Sequence, residues 1–548
     1  MYFSDPTPAP HEPPLYFDAW TEIGPRARKH REESWSLEHL RSEMEQCSIS
    51  GALVADTQTV HYDPLFANLR LSRLLEGDPR LYACWNLLPP GTGEFPEPEP
   101  LAGLLREHDV RAVAIHPRSN SWDFLSPLHQ PFFERLAREG RPVFLARSEI
   151  GGYDELERFL RACPGLPVVL TGAVWSEQRF VLPLLRAFSH LHLTFERFQV
   201  HCGLERLVAD GLEDQLLYGS QAPLRSMGAH RAYVDYADIP ESARKKIAGG
   251  NLRRLLNGAG PSAALVNRSE DAFMHAARHG RPIEHIDLHM HVLDTGLNGG
   301  GGWYRMEQGD GPGILRLLRR LGCVGGGLMS WNGTVGCDAV EGNRCTAAAL
   351  ESFPETFWGL ATLDPSHYSR SELECQMEAV YRDPRFIGMK PYFHYGVPYH
   401  DASYDPWWQY GNRRGFYALL HRVLPDFSEV ASLAARYPAV RWVVAHSASD
   451  FATAEMAIAC AREFPNVYLE ITYTPTLRGI IEFLARGAGE ERVLYGSDLP
   501  MRDPRQQFGW VVFSSLSARA KRKILFENAL KVVGPSFAPA ARLASPDL

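Results

Sequence analysis

The stretch Pro282-Ile283-Glu284-His285-Ile286-Asp287-Leu288-His289-Met290-His291-Val292 decides how this chain is read. Side chains alternate along a strand with period two, so Asp287, His289 and His291 share one face while Leu288, Met290 and Val292 share the other. The apolar face suits burial beneath helices. The Gly-rich run from Asp294 to Gly302 follows at once, so the two imidazoles fall where the strand ends, a good position for a divalent ion. Taken alone, His-x-His fits chance or a packed polar pair as well as it fits ligation. Further ligands must decide.

Outward from that strand, the composition narrows the classes. With 548 residues, 45% hydrophobic and 22% charged, the chain is globular and long enough for two large cores or three ordinary ones. A net charge of -8 offers no footprint for a phosphate backbone, which argues against nucleic acid as a partner. No run approaches the ~20 apolar residues of a membrane span, and Met1-Tyr2-Phe3-Ser4-Asp5-Pro6 lacks the basic and apolar regions of a signal peptide. The expectation is a cytoplasmic protein without membrane contact. Nine cysteines form no C-x-x-C pair and are read as reduced, mostly buried thiols, with Cys337 and Cys345 in a loop near the expected metal face.

After the Pro-rich leader from Pro6 to Pro14, apolar runs of strand length alternate with helical periodicity, the pattern of βα units around a parallel sheet. The order then repeats. Leu216-Leu217-Tyr218-Gly219-Ser220-Gln221-Ala222-Pro223 matches Val493-Leu494-Tyr495-Gly496-Ser497-Asp498-Leu499-Pro500 at an offset of 277 residues (498 − 221). Lys246 to Asn251 matches Lys523 to Asn528 at the same offset. The chain therefore reads as a tandem duplication of two (β/α)8 barrels of the triosephosphate-isomerase type. The expected boundaries are a first barrel over 1–262, a partly helical connector over 263–282 and a second barrel over 283–548. The first copy sets Trp20 and Glu22 against His289 and His291, Ala146 against His421, Thr171 against His446 and Gln221 against Asp498. Its scaffold is kept and its ligands are lost.

In the second copy, stretches ending at His291, His421, His446 and Asp498 each finish a predicted strand on the face where barrel enzymes build their sites. Several His plus one carboxylate suit Zn²⁺, Mn²⁺ or Fe²⁺ with room for a water, which the ion acidifies and a carboxylate can deprotonate. His-x-His after the first strand, His after the fifth and sixth, and Gly-Ser-Asp-x-Pro after the eighth resemble the amidohydrolase superfamily. The similarity points to its amidohydrolase-2 branch, which includes aminocarboxymuconate-semialdehyde decarboxylase and several lactonases. The motifs cover residues 283 to 535; residues 15 to 255 follow by scaffold only.

The resemblance implies that His289, His291, His421 and Asp498 hold the metal, that His446 orients or deprotonates the water or polarises the substrate, and that Asp498 doubles as proton shuttle. Lys390, at the end of the fourth strand, answers to the carbamylated lysine of two-metal relatives and to an ordinary lysine in many one-metal ones. The expectation is one ion, Zn²⁺ ahead of Mn²⁺ or Fe²⁺, with Lys390 as the bridge if there are two.

Tyr304, Arg305, Tyr392, His394 and Arg502 stand on the expected mouth as substrate contacts, arginine suiting a carboxylate by bidentate pairing. Trp303, Tyr395, Arg505, His400, Trp407 and Trp408 lie nearby, with solvated or packing roles equally open. The expected activity is a metal-dependent hydrolase of an amide, lactone, ester or thioester in a small, carboxylated substrate. A metal-dependent decarboxylase and a non-catalytic binding protein are the alternatives. The two barrels are expected to pack as an internal pseudo-dimer, with further oligomerisation open.

Overall fold

Each short apolar run bounded by turn residues becomes one parallel strand, and each strand is followed by a helix that covers it. The computed structural model describes residues 11–27, 30–265, 267, 269–295, 304–421, 423 and 425–534. Gly299 to Gly302, Trp303 and the opening Met1 to Pro6 lie outside the described residues.

The first eight strands are β1 (Phe17–Ile23), β2 (Gly51–Asp56), β3 (Leu81–Asn86), β4 (Ala112–Ile115), β5 (Val143–Ala146), β6 (Val168–Thr171), β7 (Leu191–Thr194) and β8 (Leu216–Leu217). The second eight are β9 (His285–Val292), β10 (Cys323–Ser330), β11 (Phe357–Ala361), β12 (Phe386–Met389), β13 (Tyr417–Leu420), β14 (Arg441–Val444), β15 (Val467–Glu470) and β16 (Val493–Leu494). Both sets pair in sequence order as parallel sheets, the topology of a (β/α)8 barrel.

Each sheet returns on itself. In the first barrel the Ala19 amide donates to Tyr218 O at 2.8 Å and the Gln221 amide to Trp20 O at 2.8 Å. In the second the Asp498 amide donates to His289 O and the His291 amide to Leu499 O, both at 2.7 Å. Seven strands of the first barrel send Phe17, Leu53, Cys84, Ala112, Phe144, Val169 and Leu217 into one packed interior, so the barrel is a core and not a pore.

The duplication reaches fine detail. A π-helical turn, an uncommon element, occurs at Lys246–Gly250 and again at Lys523–Glu527. Just beyond it, the Asn251 side chain donates to Glu213 O and Leu216 O, and the Asn528 side chain to Glu490 O and Val493 O, all within 2.7–2.9 Å. Between the barrels, Asp271 caps the helix Ala272–Arg278 by accepting from the Met274 amide at 2.9 Å. Tertiary contacts divide the chain between Glu270 and Asp271. Among the described residues, no helix is long and apolar enough to cross a membrane.

Candidate metal centre

Strand β9 delivers His289 and His291 to the C-terminal end of the second barrel, both buried because alternation points them inward. Asp498 follows β16 with φ +60°, a left-handed conformation that a non-glycine residue adopts at a cost of roughly 1 kcal/mol or more. Its Oδ1 lies 3.4 Å from His289 Nε2 and 3.3 Å from His291 Nε2. One ligating atom from each of the three lies within 4.8 Å of the others, the only such trio of His, Cys, Asp or Glu among the described residues. Two imidazole nitrogens and a carboxylate oxygen suit a borderline divalent ion, so the donors present fit the metal that the sequence led us to expect.

Neighbours fix the orientation of each donor. Glu470, at the end of β15, stands 3.4 Å from His289 Nδ1, assigning the proton there and leaving Nε2 a lone pair towards Asp498. Glu470 is fully buried, and burial raises its carboxyl above the ordinary range. Thr334 Oγ1 lies 3.4 Å from His291 Nδ1. Arg502 donates to Asp498 Oδ2 at 3.1 Å. Asp287 accepts from the amides of His289 and Ser497, each at 3.1 Å, tying the start of the barrel to its last strand. Gly496 is required here, since a Cβ would meet Glu470 Oε1 at 2.5 Å and His289 Cβ at 2.8 Å.

His421 and His446 form a second pair beside the trio. His446 sits at φ +62° and donates through Nδ1 to Thr472 O at 2.7 Å, so its Nε2 accepts from His421 Nδ1 at 2.8 Å. That leaves Nε2 of His421 with a lone pair. Tyr392 and Phe393 stack on the His421 ring at 5.0 Å. Lys390, fully buried after β12, places Nζ 3.3 Å from His289 Nε2, and burial pushes its ammonium down to about 8.

Burial likewise lowers the pKa of His289, His291 and His421, and takes His446 to about 4, so the imidazoles are neutral. Burial by itself would raise Asp498, but His289 and His291 when protonated, together with Arg502, outweigh it and hold the carboxyl well below its ordinary range. Neutral imidazoles beside an ionised carboxylate are the protonation state a metal needs.

The expected mouth residues divide. Tyr304 is buried against Trp331, whose ring meets His291 edge-on at 5.2 Å. Arg305 pairs with Glu307 at 3.3 Å, and His394 is exposed, with Nδ1 3.4 Å from Val335 O. Arg505 closes on Asp503 at 2.6 Å and His400 lies 3.1 Å from Glu429. Trp407 and Trp408 donate to Tyr381 Oη and Tyr399 O at 2.8 Å, so both serve packing. Burial raises the Cys337 thiol and takes Cys345 to about 12, leaving both as poor nucleophiles.

Sequence reading missed Glu470 and Thr334. An acid ending the predicted strand Val467-Tyr468-Leu469-Glu470 was the available signal for Glu470; nothing local marks Thr334. One pairing also moves. The Gly172 amide donates to Glu196 Oε1 at 2.6 Å with φ +74°, while the His446 amide lies 3.3 Å from Glu470 Oε2 with φ +62°, so Gly172 and not Thr171 answers to His446. The sixth strand as a whole is shifted by one residue, Val168 answering to Trp442, a slip invisible to a comparison of apolar runs.

A family model described as Amidohydrolase matches residues 96–258 and 286–534. No curated protein matches the sequence. Among solved structures, amidohydrolase 2 from Bifidobacterium longum subsp. infantis is 15% identical, with 46% of this chain and 98% of that chain covered and a TM-score of 0.35. The 2,6-dihydroxybenzoate decarboxylase from Rhizobium is 14% identical over 46% and 98%, with a TM-score of 0.35. A dihydroxybenzoic acid decarboxylase from Polaromonas sp. JS666, with bound manganese and 2-nitroresorcinol, is 15% identical over 46% and 96%, with a TM-score of 0.36.

Proposed function

The chain belongs to the amidohydrolase family, whose model matches segments of both barrels, and from that premise we propose that its second barrel is a metal-dependent hydrolase of a small carboxylated amide, lactone, ester or thioester. The observation that carries the reading is the convergence of His289, His291 and Asp498 from opposite ends of the barrel sequence, each already oriented by a buried partner. His421 joins them as a ligand through its Nε2. A divalent ion, Zn²⁺ ahead of Mn²⁺ or Fe²⁺, supplies Lewis acidity and makes a water nucleophilic near neutral pH.

The chain's own groups then divide the work. Asp498, ionised, accepts the proton of the attacking water and returns it to the leaving group. His446, held by Thr472 O, accepts the His421 Nδ1 hydrogen and so fixes the His421 ring; with that bond broken, its Nε2 would accept from the water and orient it. Tyr304 and Tyr392 wall the substrate space, and Arg502, whose Nε is buried without a hydrogen-bond partner, faces the substrate carboxylate. Arg305 and His394 stand further out as rim contacts. We favour one ion; with two, Lys390 would be the carbamylated bridge and would show an intact mass raised by one carboxyl group.

The same unpartnered Arg502 Nε supports a second reading, decarboxylation, in which the clamped carboxylate itself leaves as CO₂ and the carbanion takes a proton that Asp498 relays from water, leaving hydroxide. Elemental analysis per chain, with Asp498→Ala alongside, tests the common premise. About one equivalent, lost in the variant, is expected; no metal after reconstitution overturns both readings. Screens that follow acid release and CO₂ release on carboxylated lactones, amides and aromatic acids then separate them.

A further inference from the structure

The first barrel has lost the metal ligands but not the mouth. A cavity of about 410 Å³ opens there, within the range of small-ligand sites. Trp20, Glu22 and Gln221, the counterparts of His289, His291 and Asp498, all line it. Among the described residues no trio of His, Cys, Asp or Glu gathers within ligating distance in this barrel.

Several of its charges are already spent on each other. Arg147 is closed on Glu177 at 2.7 Å and lies over the Tyr153 ring. Glu149 takes the Ser119 hydroxyl at 2.6 Å and two backbone amides at 3.0 Å, and faces His116 at 3.8 Å. Two carboxylate oxygens are left over. Glu196, 1% exposed, accepts from the Gly172 amide through Oε1, while its Oε2 is buried without a hydrogen-bond partner. Glu22 Oε2 is in the same condition. A buried acceptor without a donor costs roughly 1–3 kcal/mol, which a ligand's N–H or O–H would remove. Burial raises both carboxyls, with Arg26 and His116 opposing it at Glu22. At the exposed end stand Arg26 and Arg197, guanidinium groups on two different loops that also line the cavity.

We propose that the first barrel is a metal-free binding site for a small carboxylic acid with hydroxyl or amino groups at the end opposite its carboxylate. The donors cap Glu22 and Glu196, and the carboxylate lies between Arg26 and Arg197. The inference does not depend on the reaction assigned to the second barrel.

The test is calorimetric titration of the full-length protein with D-gluconate and L-glutamate at millimolar concentrations, with D-glucose and adipate as controls that lack one end of the pattern. The Asp498→Ala variant, alone and combined with Arg502→Ala, carries the same titrations, so that both the ion and the guanidinium assigned to a carboxylate in the second barrel are removed from the reading. At least one of the two acids is expected to bind both variants as it binds the parent, with glucose and adipate weaker. Arg197→Ala, on the exposed rim, should weaken that binding about tenfold, the loss of one charge-assisted contact, and Glu196→Leu should abolish it. If Glu196→Leu fails to fold, Arg197→Ala decides. No binding to the double variant by either acid, equal binding of the controls, or indifference to Arg197→Ala overturns the proposal.

Discussion

The two barrels share a backbone and differ in what it carries. Both turn left-handed after the eighth strand, at Gln221 and Asp498 with φ +60°, and both do so after the sixth, at Gly172 and His446. Both tie that eighth strand to the first through a buried aspartate, Asp18 to the Ser220 amide at 3.0 Å and Asp287 to the Ser497 amide at 3.1 Å. Even the acid below the sixth-strand loop persists in altered order. The ladder sets Thr194 opposite Leu217 and Glu470 opposite Leu494, so Thr194 and Glu196 answer to Glu470 and Thr472 with the two side-chain types exchanged. Yet the carboxylate reaches the same amide in both. The scaffold is thus separable from the side chains at the mouth: strain and buried polar pairs persist where Trp20, Glu22, Ala146 and Gln221 stand in place of His289, His291, His421 and Asp498.

The comparison breaks most sharply at the metal. Asp498→Ala or His289→Ala should remove the ion and lower turnover by at least about a thousandfold, while Gln221→Ala leaves metal content unchanged, as read by elemental analysis and initial rates. The converse graft, Trp20→His with Glu22→His, Ala146→His and Gln221→Asp, should add a second equivalent of metal if side chains alone separate the barrels. Failure to do so would locate the difference in the backbone. Glu470→Gln keeps the shape but weakens the hold on His289 Nδ1, and a loss of about 10-fold to 100-fold in metal affinity is expected by competition with a chelator.

Smaller effects sharpen the shared part. Ser220→Ala and Ser497→Ala each take a hydroxyl that accepts a backbone amide, from Ala222 at 3.0 Å and Leu499 at 3.2 Å. Each should cost about 1–2 kcal/mol in denaturant unfolding, and by similar amounts. A further difference is in acid. His230 is fully buried with neither ring nitrogen hydrogen-bonded, and burial takes it down to about 3, whereas its counterpart in the second barrel is Gln507. The unfolded chain binds a proton there below about 6.5 and the folded chain does not, so stability falls between pH 6.5 and about 3. His230→Gln should flatten that fall by up to about 1.4 kcal/mol per pH unit, seen as a higher melting temperature in mild acid.

Much of this was legible in the chain because the signals are local. Period-two alternation through Asp287, His289 and His291, and apolar runs ending at His421, His446 and Asp498, fix both the strand and the end on which each side chain emerges. The offset of 277 residues between Gln221 and Asp498 carries the duplication without reference to any contact. Gly172 could not be read in this way, because a position one residue past a strand end is set by the neighbouring strand's register.

What the sequence alone determined, then, is the pair of barrels, the face that holds the site and the residue types gathered there, since each follows from strand spacing along a few residues. The tertiary structure decided which neighbour holds each histidine nitrogen, that Glu470 stands behind His289 across 181 residues of chain, and that Arg505 and Trp407 are spent on packing while Arg502 is not. Those outcomes depend on which groups closure of the barrel brings within hydrogen-bonding distance, and no local spacing encodes a distance between strands one and seven.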